Sequence, residues 1–268
     1  MIKIIEQFDI SKFGAATASE DRIVCSPHVV AVIDGASACA RDSESAFQHL
    51  LNDASELLLQ VGPNTQPAQL IKGLTQLFVD RRLPGRDAGL FFAAYHHHRS
   101  EIWSVGDCQC LVDGVLMTQP VAAESLVTRA RQSLLTACRA MAGVCDQTCE
   151  DLERSMLRHL LTLQRRLAND ENHPLGYGVV NDGHLPDKFV RITKIETDAT
   201  EIVLATDGYP VLMRTLGLSE AQLSRLLTVD PLCIGENAGP KGLGTGQISY
   251  DDRAYIRFTA THQRVPVS

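Results

Sequence analysis

Val29-Val30-Ala31-Val32-Ile33-Asp34-Gly35 joins an unbroken apolar run to a carboxylate and a glycine. Its β-branched residues predict a strand. The lack of a polar residue on either face predicts one that is central and covered on both sides. A carboxylate at the mouth of such a strand is costly to desolvate unless something pairs with it. The arrangement returns elsewhere. Ile202-Val203-Leu204-Ala205-Thr206 ends at Asp207-Gly208, and Ile102-Trp103-Ser104-Val105-Gly106 ends at Asp107. Asp251-Asp252 stands just before the apolar run Ala254 to Phe258. One strand closing on an Asp-Gly turn is ordinary turn chemistry; the repetition makes it a pattern. No lysine or arginine sits beside all four aspartates in the sequence. Carboxylates converging on one spot then need a bound cation to hold them together. Oxygen donors point to Mg²⁺ or Mn²⁺ rather than zinc. The glycine after an aspartate lets the backbone approach the ion, so that its carbonyl can be a ligand too.

Further strands are predicted at Ile23 to Cys25, Gly89 to Tyr95, Cys110 to Val112 and Phe189 to Ile192. Helical spacing covers Ser43 to Val61, Pro67 to about Arg82, Glu124 to about Ala142 and Gln147 to about Asn169. A short helix, capped by Ser219, runs to Leu227. Leu152, Met156, Leu160, Leu163 and Leu167 form a stripe expected in the core. Strands and paired helices do not alternate strictly, which predicts an α+β fold with sheets packed together and helices outside. Tyr177 to Gly183 is expected as a hairpin or short strand, and His96-His97-His98 as an exposed hairpin tip without the anchored surroundings of a metal site.

Composition narrows the function classes. The 268 residues suit a single domain, 1–268, with 44% hydrophobic and 21% charged residues. A net charge of -7 disfavours a nucleic acid partner, and the short arginine clusters read as solvated faces. No apolar run spans a membrane. Met1-Ile2-Lys3-Ile4-Ile5-Glu6 alternates like a strand and lacks a signal-peptide core, so a cytoplasmic location is expected. The eight scattered cysteines then read as free thiols. Cys145 and Cys149 have helical spacing but no partner pair for zinc. Gly239-Pro240-Lys241-Gly242 has the composition of a phosphate loop without its following Ser or Thr, and reads as a flexible loop beside the acidic residues. His173 is a loop histidine considered as a proton donor.

Taken in order, Ser19-Glu20-Asp21-Arg22, Val32-Ile33-Asp34-Gly35, Val105-Gly106-Asp107-Cys108, Ala205-Thr206-Asp207-Gly208 and Tyr250-Asp251-Asp252-Arg253 resemble the motifs of the type 2C, metal-dependent protein phosphatases. The resemblance covers nearly the whole chain. It implies a four-layer sandwich, two packed antiparallel sheets flanked by helix pairs, with a two-metal centre of Mg²⁺ or Mn²⁺ at one end. By this resemblance Asp34 bridges both metals and Gly35 offers its carbonyl to the second, with Glu20 and Asp21 nearby. Asp207 and Asp251 complete the first, and Asp107 with Asp207 forms a weaker third site. The implied reaction is hydrolysis of phosphoserine or phosphothreonine on a protein by metal-activated water, catalysed around Asp34, Asp207 and Asp251.

The sequence departs from that family where phosphate is gripped. The usual arginine before the Glu-Asp pair is absent from Gly14-Ala15-Ala16-Thr17-Ala18-Ser19, leaving Arg22 or Arg41 as substitutes. Asp87-Ala88-Gly89 replaces the usual Gly-Ser-Thr, and Tyr209-Pro210 follows Asp207-Gly208. Asp252 rivals Asp251 as ligand. Two alternatives stay open: a non-catalytic member of the fold that binds a phosphorylated partner, and a phosphatase of a small metabolite. The oligomeric state is not legible.

Overall fold

A computed structural model of the chain describes residues 1–37, 41–85, 88–117, 121–141, 146–196 and 201–261, with backbone alone at 41–44, 146–151 and 154. The quoted strand is β3 (Val29–Ser37), with β1 (Ile2–Ile10) and β2 (Arg22–Cys25) before it. Its side chains alternate between two cores, as a period of two requires. Val29, Ala31 and Ile33 pack with Phe47, Leu50 and Leu58 of α1 (Arg41–Leu59) and with Leu74 and Phe78 of α2 (Pro67–Arg81). Val30 and Val32 face the other way, onto Leu204, Ile256 and Phe258 of a second sheet. This explains an apolar run with no polar face: helices cover one side and a sheet the other.

The remaining strands are β4 (Ala88–His96), β5 (Glu101–Val105), β6 (Gln109–Val112), β7 (Val115–Leu116), β8 (Arg191–Lys194), β9 (Ile202–Ala205) and β10 (Arg253–Ala260). Two five-stranded sheets result, ordered β2-β3-β4-β5-β8 and β1-β10-β9-β6-β7, with every pairing antiparallel. The first and last strands pair from Ile2 with Ala260 to Ile10 with Arg253. That pairing brings the segment around Glu20 to the segment around Asp251. On the outer face of the second sheet, Val203, Ala205 and Tyr255 are covered by Tyr209 and Leu212, ahead of α5 (Leu216–Val229). The last pair, α3 (Glu124–Ala140) and α4 (Asp146–Arg165), packs together. The α+β sandwich expected from the sequence is present.

Several local expectations are corrected. The leucine stripe of α4 is not core: Leu152 is 49% and Leu163 56% exposed, while Met156, Leu160 and Leu167 are half-buried. The inward face lies one residue further on, where Leu157, Leu161, Gln164 and Ala168 line hollows rather than a sheet. Helix α5 begins a turn early, with Thr215 as cap accepting from the Leu218 N–H. Ser219 is buried inside the helix and accepts from the Met213 N–H instead. Phe189 belongs to a 3₁₀ turn (Asp187–Phe189), and β8 starts after it. Tyr177 to Gly183 makes only single bridges, Leu90 with Val180 and Ala168 with Tyr177. His96 is fully buried rather than exposed: its Nε2 donates to the Gly62 carbonyl at 3.0 Å, its Nδ1 accepts from the Arg99 N–H, and its ring lies 4.8 Å from that of Trp103. Asp87, Cys145 and the side chain of Cys149 lie outside the described residues.

Among the described residues no helix is long and apolar enough to cross a membrane. The described cysteines, Cys25, Cys108, Cys110, Cys138 and Cys233, are free.

Candidate metal centre

Every acidic motif reaches the same end of the sandwich. Asp34 sits inside β3, opposite Phe91 of β4, rather than at the strand's end. Asp107 follows β5, Asp207 follows β9, Asp251 precedes β10 and Glu20 precedes β2. Together with Gly35 and Glu124, the first residue of α3, they line a cavity of about 260 Å³. Gly35 is required here by contact, since a Cβ on it would stand 2.6 Å from the Glu20 carbonyl oxygen. Asp21 does not line the cavity. It is buried behind it and accepts a 2.6 Å hydrogen bond from the Thr206 hydroxyl, which itself accepts from the Ala254 N–H. Asp21 thereby ties β2 to the segment that presents Asp207. His173 is absent from the cavity lining; its Nδ1 accepts from the Leu175 N–H.

The electrostatics are those of crowded, dehydrated carboxylates. Burial, and then the charge of Asp207, raise Asp34 and Asp107 well above the ordinary carboxylate range. Burial lifts Asp207 to about 6, with Asp251 adding to the effect, and lifts Glu124 to about 7, with Asp207 adding. Burial also keeps the neighbouring Cys108 thiol protonated, which removes it as a nucleophile. Asp107 Oδ1 is buried without any partner among the described residues.

Asp251 and Asp252 have separate tasks. Asp252 accepts from the backbone N–H groups of Lys12 at 2.9 Å and Glu20 at 2.6 Å, and from the hydroxyls of Ser11 and Ser19. Its oxygens pin the chain after β1, so it is a structural tie. Asp251 faces the cavity, where Lys12 Nζ meets its Oδ1 at 2.7 Å and Lys241 Nζ meets its Oδ2. Burial alone would raise Asp251, but the two ammonium groups outweigh it and hold the group at about 2. A cation that takes Asp251 therefore competes with two ammonium groups for its oxygens, and Lys241 is the more exposed of the two.

The loop of Lys241 lies beside the acidic residues as the sequence leads one to expect, though the lysine itself had no role assigned there; sequence reasoning missed Lys12, Glu124, Gln164 and Arg165 of the cavity wall. Of its substitutes for a phosphate-binding arginine, Arg22 is taken up by the carbonyls of Ser19 and Asp21 and the side chains of Gln48 and Asn52. The Arg41 side chain lies outside the described residues. Behind the wall, the buried Arg131 of α3 donates to Glu153 of α4 and to the carbonyls of Leu232, Cys233 and Gly239, and so anchors the base of the Lys241 loop.

These donors fit a hard divalent cation in kind: they are oxygens of like charge, and one of them is orphaned. They are not drawn into a finished coordination sphere. Among the described residues no three His, Cys, Asp or Glu side chains are placed to hold an ion. One expectation follows for stability. Asp207 and Glu124 hold protons more tightly folded than unfolded, so their contribution is whole below the ordinary carboxylate range and is lost as pH rises through about 6 and about 7. Asp251, held low, acts in the opposite sense but only well below that window. The Tm in chelator should fall across it and recover on adding Mn²⁺. Thermal melts followed by circular dichroism over this range check the sign, and a flat or rising Tm in chelator would contradict it.

No protein-family profile and no curated protein matches the chain. Solved structures do. RsbX in complex with magnesium is similar at 11% identity and a TM-score of 0.47, over 97% of this chain and 99% of that one. The serine/threonine phosphatase PstP/Ppp of Mycobacterium tuberculosis is similar at 15% identity and a TM-score of 0.48, with the same coverage. A bacterial serine phosphatase is similar at 13% identity and a TM-score of 0.49, again over 97% and 99%. At these identities the likeness concerns the fold, and any argument about chemistry rests on the residues above. The solved structures to which this chain is similar include type 2C and other serine/threonine phosphatases, the kind its motifs resemble.

Proposed function

We propose that this chain is a metal-dependent phosphatase that removes phosphate from phosphoserine or phosphothreonine on proteins. One observation carries the reading: Glu20, Asp34, Asp107, Asp207 and Asp251, from separate segments, line one cavity in which Asp107 Oδ1 has no partner among the described residues. Asp34, on which the charges of Asp207, Asp107 and Asp251 all act, is the residue we assign to both of two Mg²⁺ or Mn²⁺ ions. The Gly35 carbonyl and Glu20 would serve one of them, Asp207 and Asp251 the other, and Asp107 with Asp207 a weaker third. Such ions supply a hydroxide near neutral pH and screen the charge of a phosphoester under attack. Asp21 holds Thr206 and so orients Asp207. Free cysteines suit a reducing, cytoplasmic setting.

A non-catalytic phosphate-binding role has one observation in its favour, the engagement of both Asp251 oxygens by lysines. Hydrolysis of para-nitrophenyl phosphate separates the two. Turnover is expected with Mn²⁺ and not with chelator. Folded, Mn²⁺-loaded protein that turns nothing over would overturn the enzyme reading. Phosphopeptides tested against small phosphorylated metabolites then decide the substrate class.

A further inference from the structure

Three cations of the described residues line the acidic cavity: Lys12, Lys241 and Arg165. The lysines are engaged by Asp251. Arg165, in the last turn of α4, is different. Among the described residues no hydrogen bond or ion pair engages its guanidinium. It also lines a second hollow of about 680 Å³, which shares Gly85 and Ala168 with the first, so the two adjoin along the end of α4. There Arg166 and His184 face a single carboxylate, Asp182, with the amides of Asn169 and Asn181 between. The neighbouring Gln164 lines the first cavity, and its Oε1 is buried without a partner among the described residues. An unengaged guanidinium and an unsatisfied amide oxygen, side by side where an acidic pocket opens into a basic trough, are groups prepared for a ligand.

We propose that Arg165 binds the phosphoryl group of the substrate segment, and that the trough beside it holds the residues flanking the phosphorylated one, favouring acidic neighbours. A guanidinium presents paired N–H donors that match two phosphoryl oxygens, which an ammonium cannot do. Arg165 holds the phosphoryl oxygens toward Asp34 and Asp207 across the cavity. Gln164 Oε1 accepts an N–H from the bound segment. Arg166 and His184 attract carboxylates on either side of it. The inference rests on the phosphatase reading but can fail separately from it.

The test is fluorescence anisotropy with labelled thiophosphoserine peptides, which resist hydrolysis, bearing acidic or basic flanks, on Mn²⁺-loaded protein. Arg165→Gln is expected to weaken the acidic-flank peptide by roughly tenfold, with Arg165→Lys in between, since a charge-assisted bidentate pair is lost. Mn²⁺ affinity and Tm should not move. Parent-like peptide binding by Arg165→Gln, or equal loss for an unphosphorylated peptide, would overturn the assignment. Preference for the basic-flank peptide would overturn the role of the trough. Peptide binding through Arg165 without turnover of para-nitrophenyl phosphate would keep this site and dismiss the enzyme. Turnover with no peptide effect in Arg165→Gln would do the reverse.

Discussion

Asp207→Asn is expected to lower Mn²⁺-dependent turnover of para-nitrophenyl phosphate by more than about a hundredfold, because even outer partners of metal ligands cost about 10- to 100-fold and Asp207 is assigned as a ligand itself. The same change should leave the metal-free fold as stable as the parent or more so. Asp207 is the largest charged contribution to the raised carboxyls of Asp34, Asp107 and Glu124, and it acts on Asp21 as well. Asparagine keeps the shape and removes that repulsion above the pH at which Asp207 ionises. The two readouts therefore move apart: activity falls while the Tm in chelator at mildly alkaline pH holds or rises. A variant that loses both would show Asp207 to be a structural carboxylate.

The second large effect concerns Gly208, the next residue. A Cβ there would lie 2.0 Å from the Asp252 carbonyl oxygen and 2.7 Å from the Arg253 Cβ. Both belong to the start of β10 and its lead-in, which cannot rotate aside as a surface side chain could. Gly208→Ala should destabilise the protein by about 3 kcal/mol or more, at or beyond the upper range for overpacking. For a chain of this size that corresponds to a fall in Tm of roughly 5 °C or more. The strain would also push the Asp207 segment away from the Asp251 segment, so turnover by the remaining folded protein should drop. A melt indistinguishable from the parent's would mean that the two backbones are not held together as described.

The layered fold was legible because β3 has no polar face. A run such as Val29 to Ile33 requires cover on both faces, and the structure divides those five residues between two cores. The aspartates were legible because each interrupts an apolar run at its end. Other members of the cavity wall gave no such signal. Glu124 opens a helix, where an acidic residue is already explained by the helix dipole. Lys241 lies in a glycine-rich loop with no periodicity to orient it. Arg165 was hidden because the leucines of α4 make a convincing stripe one residue away. A helix that faces hollows rather than a packed sheet obeys no apolar rule, so its inner surface cannot be read from hydrophobic spacing.

Arg131 gives the cavity a property that none of its lining residues shows alone. Lys241 arrives on one wall by a loop whose base is bound to that guanidinium, and Arg165 arrives on another by α4, which meets the same guanidinium through Glu153. The two walls have a common fastening, deep beneath both. Neither wall is fastened on its own: removing that one guanidinium would unfasten the Lys241 loop and the α4 segment at Glu153 together.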